Sequence, residues 1–108
     1  MAHYLVQNSY STQGASDLVR NPHDREAAVR PAIERLGGKV EKVYCAFGEY
    51  DIVFIVEMPD NTSMAALSMA VGASGAAASF KTTVLIPMDE AVEAMRKAGA
   101  VGYRPPGG

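Results

Sequence analysis

Residues 45–60, CAFGEYDIVFIVEMPD, restrict what this chain can fold into more than any other stretch. They hold the end of one strand, a turn of very few residues, the most apolar strand of the sequence and the start of a helix. Both flanks of the turn are rich in Val, Ile, Phe and Tyr, whose side chains pack well on a pleated surface. Gly48 lends the turn backbone freedom, and Glu49 and Asp51 set two carboxylates beside Tyr50. Strands joined so tightly pair antiparallel.

The remaining chain supplies one modest core and no more, because 108 residues suit a single domain. A formal charge of −2 with dispersed cations gives no reason to expect nucleic acid or an anionic membrane as partner. The single cysteine excludes an intrachain disulfide and has no companions at metal-site spacing, so neither a metal nor a cofactor is expected. No segment resembles a secretory leader or a membrane span, which makes the cytoplasm the expected location.

Alternation over residues 3–10 predicts a first strand with Tyr4, Val6, Asn8 and Tyr10 on one face and His3, Leu5, Gln7 and Ser9 on the other. Residues 11–14 read as a turn and 15–20 as a short helical piece. Asn21 then reads as the cap of a helix with Pro22 at its first position and Asp24 in a capping-box role. Val29, Ala32, Ile33 and Leu36 recur at helical spacing, Pro31 predicts a bend, and Gly37-Gly38 mark the exit. A second strand follows over 39–47, with Val43, Cys45 and Phe47 on one face; Cys45 reads as a small packed hydrophobe.

Residues 50–58 form the third strand, apolar on both faces, and Pro59-Asp60 lead into a helix containing Leu67, Ala70 and Val71. Met64 and Met69 read as core or interface. Glycines 72 and 75 end that helix, and residues 78–86 form a fourth strand led by Phe80. Pro87 opens a final helix whose acids precede its bases, a favourable arrangement in the helix dipole, with Val92 and Met95 turned toward the domain. Gly99 is expected to end it, dividing the chain into a domain over 1–98 and a flexible tail over 99–108.

The order is βαββαβ with an additional C-terminal helix. It predicts an α+β, ferredoxin-like antiparallel sheet with helices on one face. No glycine-rich phosphate loop follows the first strand, which disfavours a doubly wound nucleotide fold. The uncovered apolar face of such a sheet needs a partner, and a homodimer or higher homo-oligomer is expected.

The pattern of Gly48, Glu49, Tyr50 and Asp51 before a Val/Ile-rich strand and Pro59-Asp60 resembles the GYD-domain family. The resemblance takes in Thr12-Gln13-Gly14, the arginine-containing first helix, Gly37-Gly38, Tyr44 and Lys81-Thr82-Thr83, and so covers most of the chain. It implies a ferredoxin-like domain related to dimeric α/β-barrel proteins, in a family generally of uncharacterised function. Pro31 and the Ala/Gly-rich interval before Phe80 depart from the family's usual composition. A more distant resemblance, at Gly48, Tyr50 and Asp51, is to the ligand-sensing, oligomerising domain of leucine-responsive regulators; a DNA-binding segment should precede such a module, and direct regulation of transcription is not expected here.

Two readings of the central turn stand side by side. In one, Asp51 stabilises the turn through backbone hydrogen bonds and Tyr50 packs at a subunit boundary. In the other, Tyr50 and Asp51 meet a small molecule, with Tyr10 and Gln13 as further polar groups and Phe54 and Phe80 as apolar area. Glu49 and Asp51 carry no glycosidase geometry by proximity alone. His3 and His23 read as surface residues, and Lys81 as an exposed strand lysine. The expected function is a homo-oligomeric ligand-binding or assembly domain for an apolar or aromatic compound, without nucleic acid or membrane. The alternative is a cofactor-independent oxygenase or isomerase, which would gather His3, Tyr10, Tyr50 and Asp51 into one pocket.

Overall fold

The computed structural model describes residues 1–107; Gly108, the last residue of the expected tail, lies outside them. Eight elements follow in order: β1 (Ala2–Tyr10), α1 (Thr12–Arg20), α2 (Arg25–Arg35), β2 (Lys39–Cys45), β3 (Ile52–Met58), α3 (Asn61–Ala73), β4 (Ala77–Leu85) and α4 (Met88–Ala100). The strands form one sheet in the order β2-β3-β1-β4, with every neighbouring pair antiparallel. This is the ferredoxin-like arrangement expected from the sequence, with an extra helix in the first crossover.

Alternation dictates the core. Ile52, Phe54, Val56 and Met58 of β3 are buried alongside Tyr4, Val6 and Asn8 of β1, and Ile33, Met64 and Leu67 close the layer from α2 and α3. The Tyr4 hydroxyl is buried without penalty because it donates to Asn61 Oδ1 at 2.5 Å, tying β1 to the start of α3. The opposite face carries Leu5, Val53, Ile55 and Leu85, each partly exposed in the single chain.

Gly37 has φ 82° and ends α2. Its N–H donates to Glu34 O and that of Gly38 to Ile33 O, so two orphan carbonyls are satisfied in a Schellman arrangement. Gly38 also has no room for a side chain, since a Cβ there would meet Met58 Sδ and lie 2.6 Å from Glu57 O. Helix exit and sheet contact are thus fixed by the same glycine pair.

Several boundaries differ from the sequence reading, each for a local reason. Residues 12–14 are helical because the Ser11 hydroxyl accepts the Gly14 N–H at 3.0 Å and starts α1 early. Asn21 closes α1, its N–H bonded to Asp17 O, while Asp24 caps α2 by accepting from Glu26 and Ala27; the Pro22 signal therefore stood three residues ahead of the helix. Pro31 lies inside one helix that runs from Arg25 to Arg35.

β2 stops at Cys45, short of Phe47, which is 98% exposed, and β3 starts at Ile52 rather than Tyr50. Pairing shifts between Val40 and Lys42, so Val40 and Val43 both reach the core despite being three residues apart. Cys45, past the core's edge, is exposed instead of packed. β4 runs one residue earlier than expected, and α4 continues through Gly99 to Ala100. Met69 is exposed, as are Val92 and Met95, which do not turn in toward the domain.

Candidate functional site

The cleft with the clearest chemistry opens where β1, β2 and β3 meet the α1–α2 connection. It has a volume of about 410 Å³, within the usual range for small-molecule sites. Leu18, Pro22, Val43 and Ile52 give it apolar walls, and Tyr10, His23, Arg25 and Cys45 bring polar atoms to it. Two carboxylates also line it, Asp24 bound to the amides of Glu26 and Ala27 and Glu26 paired with Arg30. Adjoining hollows share Tyr10 and Arg25, one floored by Asn8, Phe54 and Phe80.

Arg25 is the first residue of α2, a position where a cation opposes the positive end of the helix dipole. Among the described residues no carboxylate lies within salt-bridge distance of it, whereas Arg20, Arg30 and Arg96 each have one. Arg25 Nη1 instead donates to His23 Nε2 at 2.9 Å, while His23 Nδ1 lies 2.9 Å from the Asn21 carbonyl. A guanidinium can only donate and a carbonyl can only accept, so this pair of contacts requires the neutral ring with its proton on Nδ1. His23 thereby holds Arg25 at the cleft mouth without adding a second charge.

Tyr10 sits below this cation. Burial raises its phenol above the ordinary 10.0, nearby Arg25 opposes the rise, and Cys45 and Asp51 add to it. With a folded value above the unfolded one, the neutral phenol's contribution to stability is complete below the unfolded value and is lost as pH rises through the folded one. Arg25→Met is expected to delay the appearance of Tyr10 phenolate to still higher pH. Near-ultraviolet titration, taken as a difference against Tyr10→Phe, reads this directly, and an earlier onset would contradict the assigned role of Arg25.

Asp51 lies one step from Tyr10 but is bound into the backbone. Its carboxylate accepts the Tyr10 N–H at 2.8 Å, its own N–H donates to Asn8 O at 3.0 Å, and its carbonyl accepts from Ala46 N–H at 2.8 Å. Three chain segments are clamped by one residue. Asp51→Ala leaves a part-buried N–H of Tyr10 without its charged acceptor and is expected to cost about 1.5–3 kcal/mol in urea unfolding. A change within a few tenths of a kcal/mol would show the clamp to be dispensable.

The other residues singled out by sequence are dispersed. Tyr50 is half-buried beside Asp51 and is not among the residues lining these hollows. Gln13 is exposed on α1 and donates to Asp17 Oδ1 at 2.8 Å, a contact within its own helix. Phe54 is a core side chain that also floors a hollow, and Phe80 is partly buried opposite Asn8. His3 stands at the far end of β1 from Tyr10, roughly 24 Å away at strand spacing. There Nδ1 meets Glu41 at 2.9 Å and Nε2 lies 3.9 Å from Glu57. These three are grouped closely enough to ligate a cation, and His3 and Glu41 are already hydrogen-bonded to each other there. His3, Tyr10, Tyr50 and Asp51 therefore do not converge in one pocket.

Arg25, His23, Cys45, Leu18, Val43 and Ile52 were not singled out as site residues by the sequence reading. The usable signal was Arg25 itself, a base in the first turn of a helix, a local choice that opposes helix stability.

The sequence pattern of the GYD domain matches residues 4–95. The chain belongs to the GYD-domain family. A relative of this GYD domain, the glutamine synthetase and cystathionine beta-lyase binding protein of Thermus thermophilus, is 30% identical over 99 residues, covering 89% of this chain and all of its own. Among solved structures, an FFRP protein superposes with a TM-score of 0.56 at 14% identity over 80% of this chain and 100% of its own. MtbAldR gives 0.54 at 17% identity over 80% of this chain and 52% of its own, and a hypothetical protein from Pyrococcus horikoshii gives 0.51 at 15% over 81% and 92%. At these identities the structural likeness speaks for the fold of the GYD domain alone. Among the described residues, no helix is long and apolar enough to cross a membrane.

Proposed function

We propose that this GYD domain is a small homo-oligomeric binding module whose Tyr10–Arg25 cleft holds a small molecule with an anionic group on an apolar or aromatic body. One observation carries the reading: a guanidinium without a carboxylate partner among the described residues is held by a neutral histidine at the mouth of an apolar cleft. The anionic group meets Arg25 and the Tyr10 hydroxyl, and the hydrocarbon body lies on Leu18, Val43 and Ile52. Tyr50 and Gln13 act outside this first contact, Asp51 by fixing Tyr10, and Phe54 and Phe80 from beneath.

Protein partners belong to the same reading. The Thermus thermophilus relative is named for binding two enzymes, which supports a role in which occupancy of the cleft adjusts contact with another protein. The apolar sheet face around Leu5, Val53 and Ile55 supports self-association, and the exposed thiol of Cys45 suits the reducing cytoplasm.

Nuclear magnetic resonance titration with a panel of aromatic and branched carboxylates tests the cleft. Shifts are expected to cluster at Tyr10, Arg25, Val43 and Ile52, and Arg25→Met is expected to weaken binding about ten-fold or more, as loss of a charged hydrogen-bond partner does. Carboxylates that bind equally well to Arg25→Met would sink the proposal. A monomer at all concentrations in sedimentation would remove the oligomeric part.

A further inference from the structure

Among the described residues, α4 is the one helix without a buried residue. Its Met88, Val92 and Met95 are 73%, 39% and 63% exposed. The chain has a radius of gyration of 17.4 Å and a longest extent of 58 Å, against about 13 Å expected for the radius of a compact domain of this length. An isolated helix of 13 residues is marginal in water, so a helix like this needs its apolar face covered. The stripe is well defined. Met88, Val92, Met95 and Gly99 recur at spacings of four, three and four, with Ala91 and Ala98 beside them.

We infer that α4 is an assembly arm that pairs antiparallel with α4 of a second copy, across a two-fold axis between Glu93 and Ala94. Size and charge both select this geometry. A single axis at that point sets Val92 against Met95 and, at both ends, the long Met88 against Gly99, whose Cα faces open space in the single chain. Asp89 and Arg96 lie seven residues apart along the same edge of the stripe, so they share a side of the helix. Antiparallel copies bring Asp89 of one alongside Arg96 of the other, twice by symmetry, whereas parallel copies in register would set both residues beside the partner's Ala91 and Ala98 and leave the charges unpaired. Arg96 is free to do so, since its contact with Glu93 at 3.2 Å is an exposed one within the helix.

Other occupants fit less well. The acidic first half, with Asp89, Glu90 and Glu93, repels phosphate backbones and anionic bilayers, and the stripe lacks the Trp, Phe and cationic flanks of an interfacial membrane helix. One helix pair covers less area than a standard stable interface, so the arm reinforces or extends an assembly. It is a contact separate from the sheet face invoked for self-association above.

Disulfide trapping in the full chain carrying Cys45→Ser tests the inference. Met88→Cys and Gly99→Cys proteins, one bearing a size tag, are oxidised separately and after mixing. The expected result is a tagged–untagged disulfide dimer in the mixture, in several-fold excess over the product of either protein alone. Trapping of each variant with itself would indicate parallel pairing and overturn the inference, and so would no trapping in the mixture, whether α4 then docks on the sheet of a second copy or on another protein. As a second measurement, Asp89→Arg and Arg96→Asp are each expected to weaken association about five-fold in sedimentation, with the double exchange restoring it. Failure of restoration overturns the charge pairing. Oligomers that persist while trapping fails would leave the proposed sheet-face association and the cleft standing.

Discussion

Phe54→Ala is expected to remove about 3–5 kcal/mol of folding stability, the usual cost of deleting a buried aromatic side chain and leaving a cavity. Phe54 is 4% exposed on the central part of β3, opposite Val6 and Val43 in the ladders to either side. It belongs to the layer that α2 and α3 cover, and it also floors the hollow under Tyr10. The loss is a large share of the 5–15 kcal/mol by which domains are stable, so chemical denaturation should show a much lower midpoint. Because the ring serves the core first, weakened ligand binding in this variant has to be read against its unfolded fraction. A loss below about 1 kcal/mol would mean that the core rearranges around the gap.

Gly38→Ala should be nearly as damaging, at about 3 kcal/mol, through crowding instead of a cavity. The new methyl would meet Met58 Sδ, which can swing away, but also Glu57 O at 2.6 Å, which belongs to the central ladder and cannot. Separation of α2 from β3 follows, and with it loss of the Ile33 contact 3.1 Å from the same point. Gly72→Ala is the matching control. It lies in α3 with nothing within 4 Å of the added methyl, and should be neutral or stabilise the protein by about 0.5–1 kcal/mol. Equal effects of the two substitutions in thermal unfolding would remove close packing as the explanation.

The fold was legible in the sequence wherever periodicity and chain punctuation agreed. Ile52, Phe54, Val56 and Met58 alternate without interruption, Tyr4, Val6 and Asn8 do the same, and Gly37-Gly38 end α2 where two glycines allow it. Errors arose where two local signals competed. Pro22 and Asn21 suggest a helix start, but the carboxylate of Asp24 satisfies two amides and sets it at Arg25. The shift of pairing after Val40 interrupted the alternation of β2 ahead of Val43; Cys45 keeps the face it shares with Val43, opposite Ile52, and is exposed because the core ends short of it.

The cleft was harder to read because most of its groups come from separate elements. Tyr10 was visible as an aromatic residue at the end of a strand, but its relation to Arg25, His23 and Cys45 depends on how the α1–α2 connection folds over β2 and β3. Asp51 was conspicuous from its neighbours Glu49 and Tyr50. The residue that explains it, Tyr10, is 41 positions earlier and is bonded through its backbone. α4 illustrates the opposite limit: its charge order and apolar spacing read as a helix, but Val92 and Met95, expected to turn toward the domain, are exposed on a helix with no buried side chain.

The strand order also sets the timing of folding during synthesis. β1 is central, pairing with β3 and β4 on its two sides, and His3 faces both Glu57 and Leu85. The first strand made is therefore completed by the last. Until residue 85 has emerged from the ribosome, one edge of β1 has no partner, and the long loop between the two must be closed before their contacts contribute. Folding should be limited by this final docking of β4, with a strand edge open in the nascent chain to intermolecular pairing.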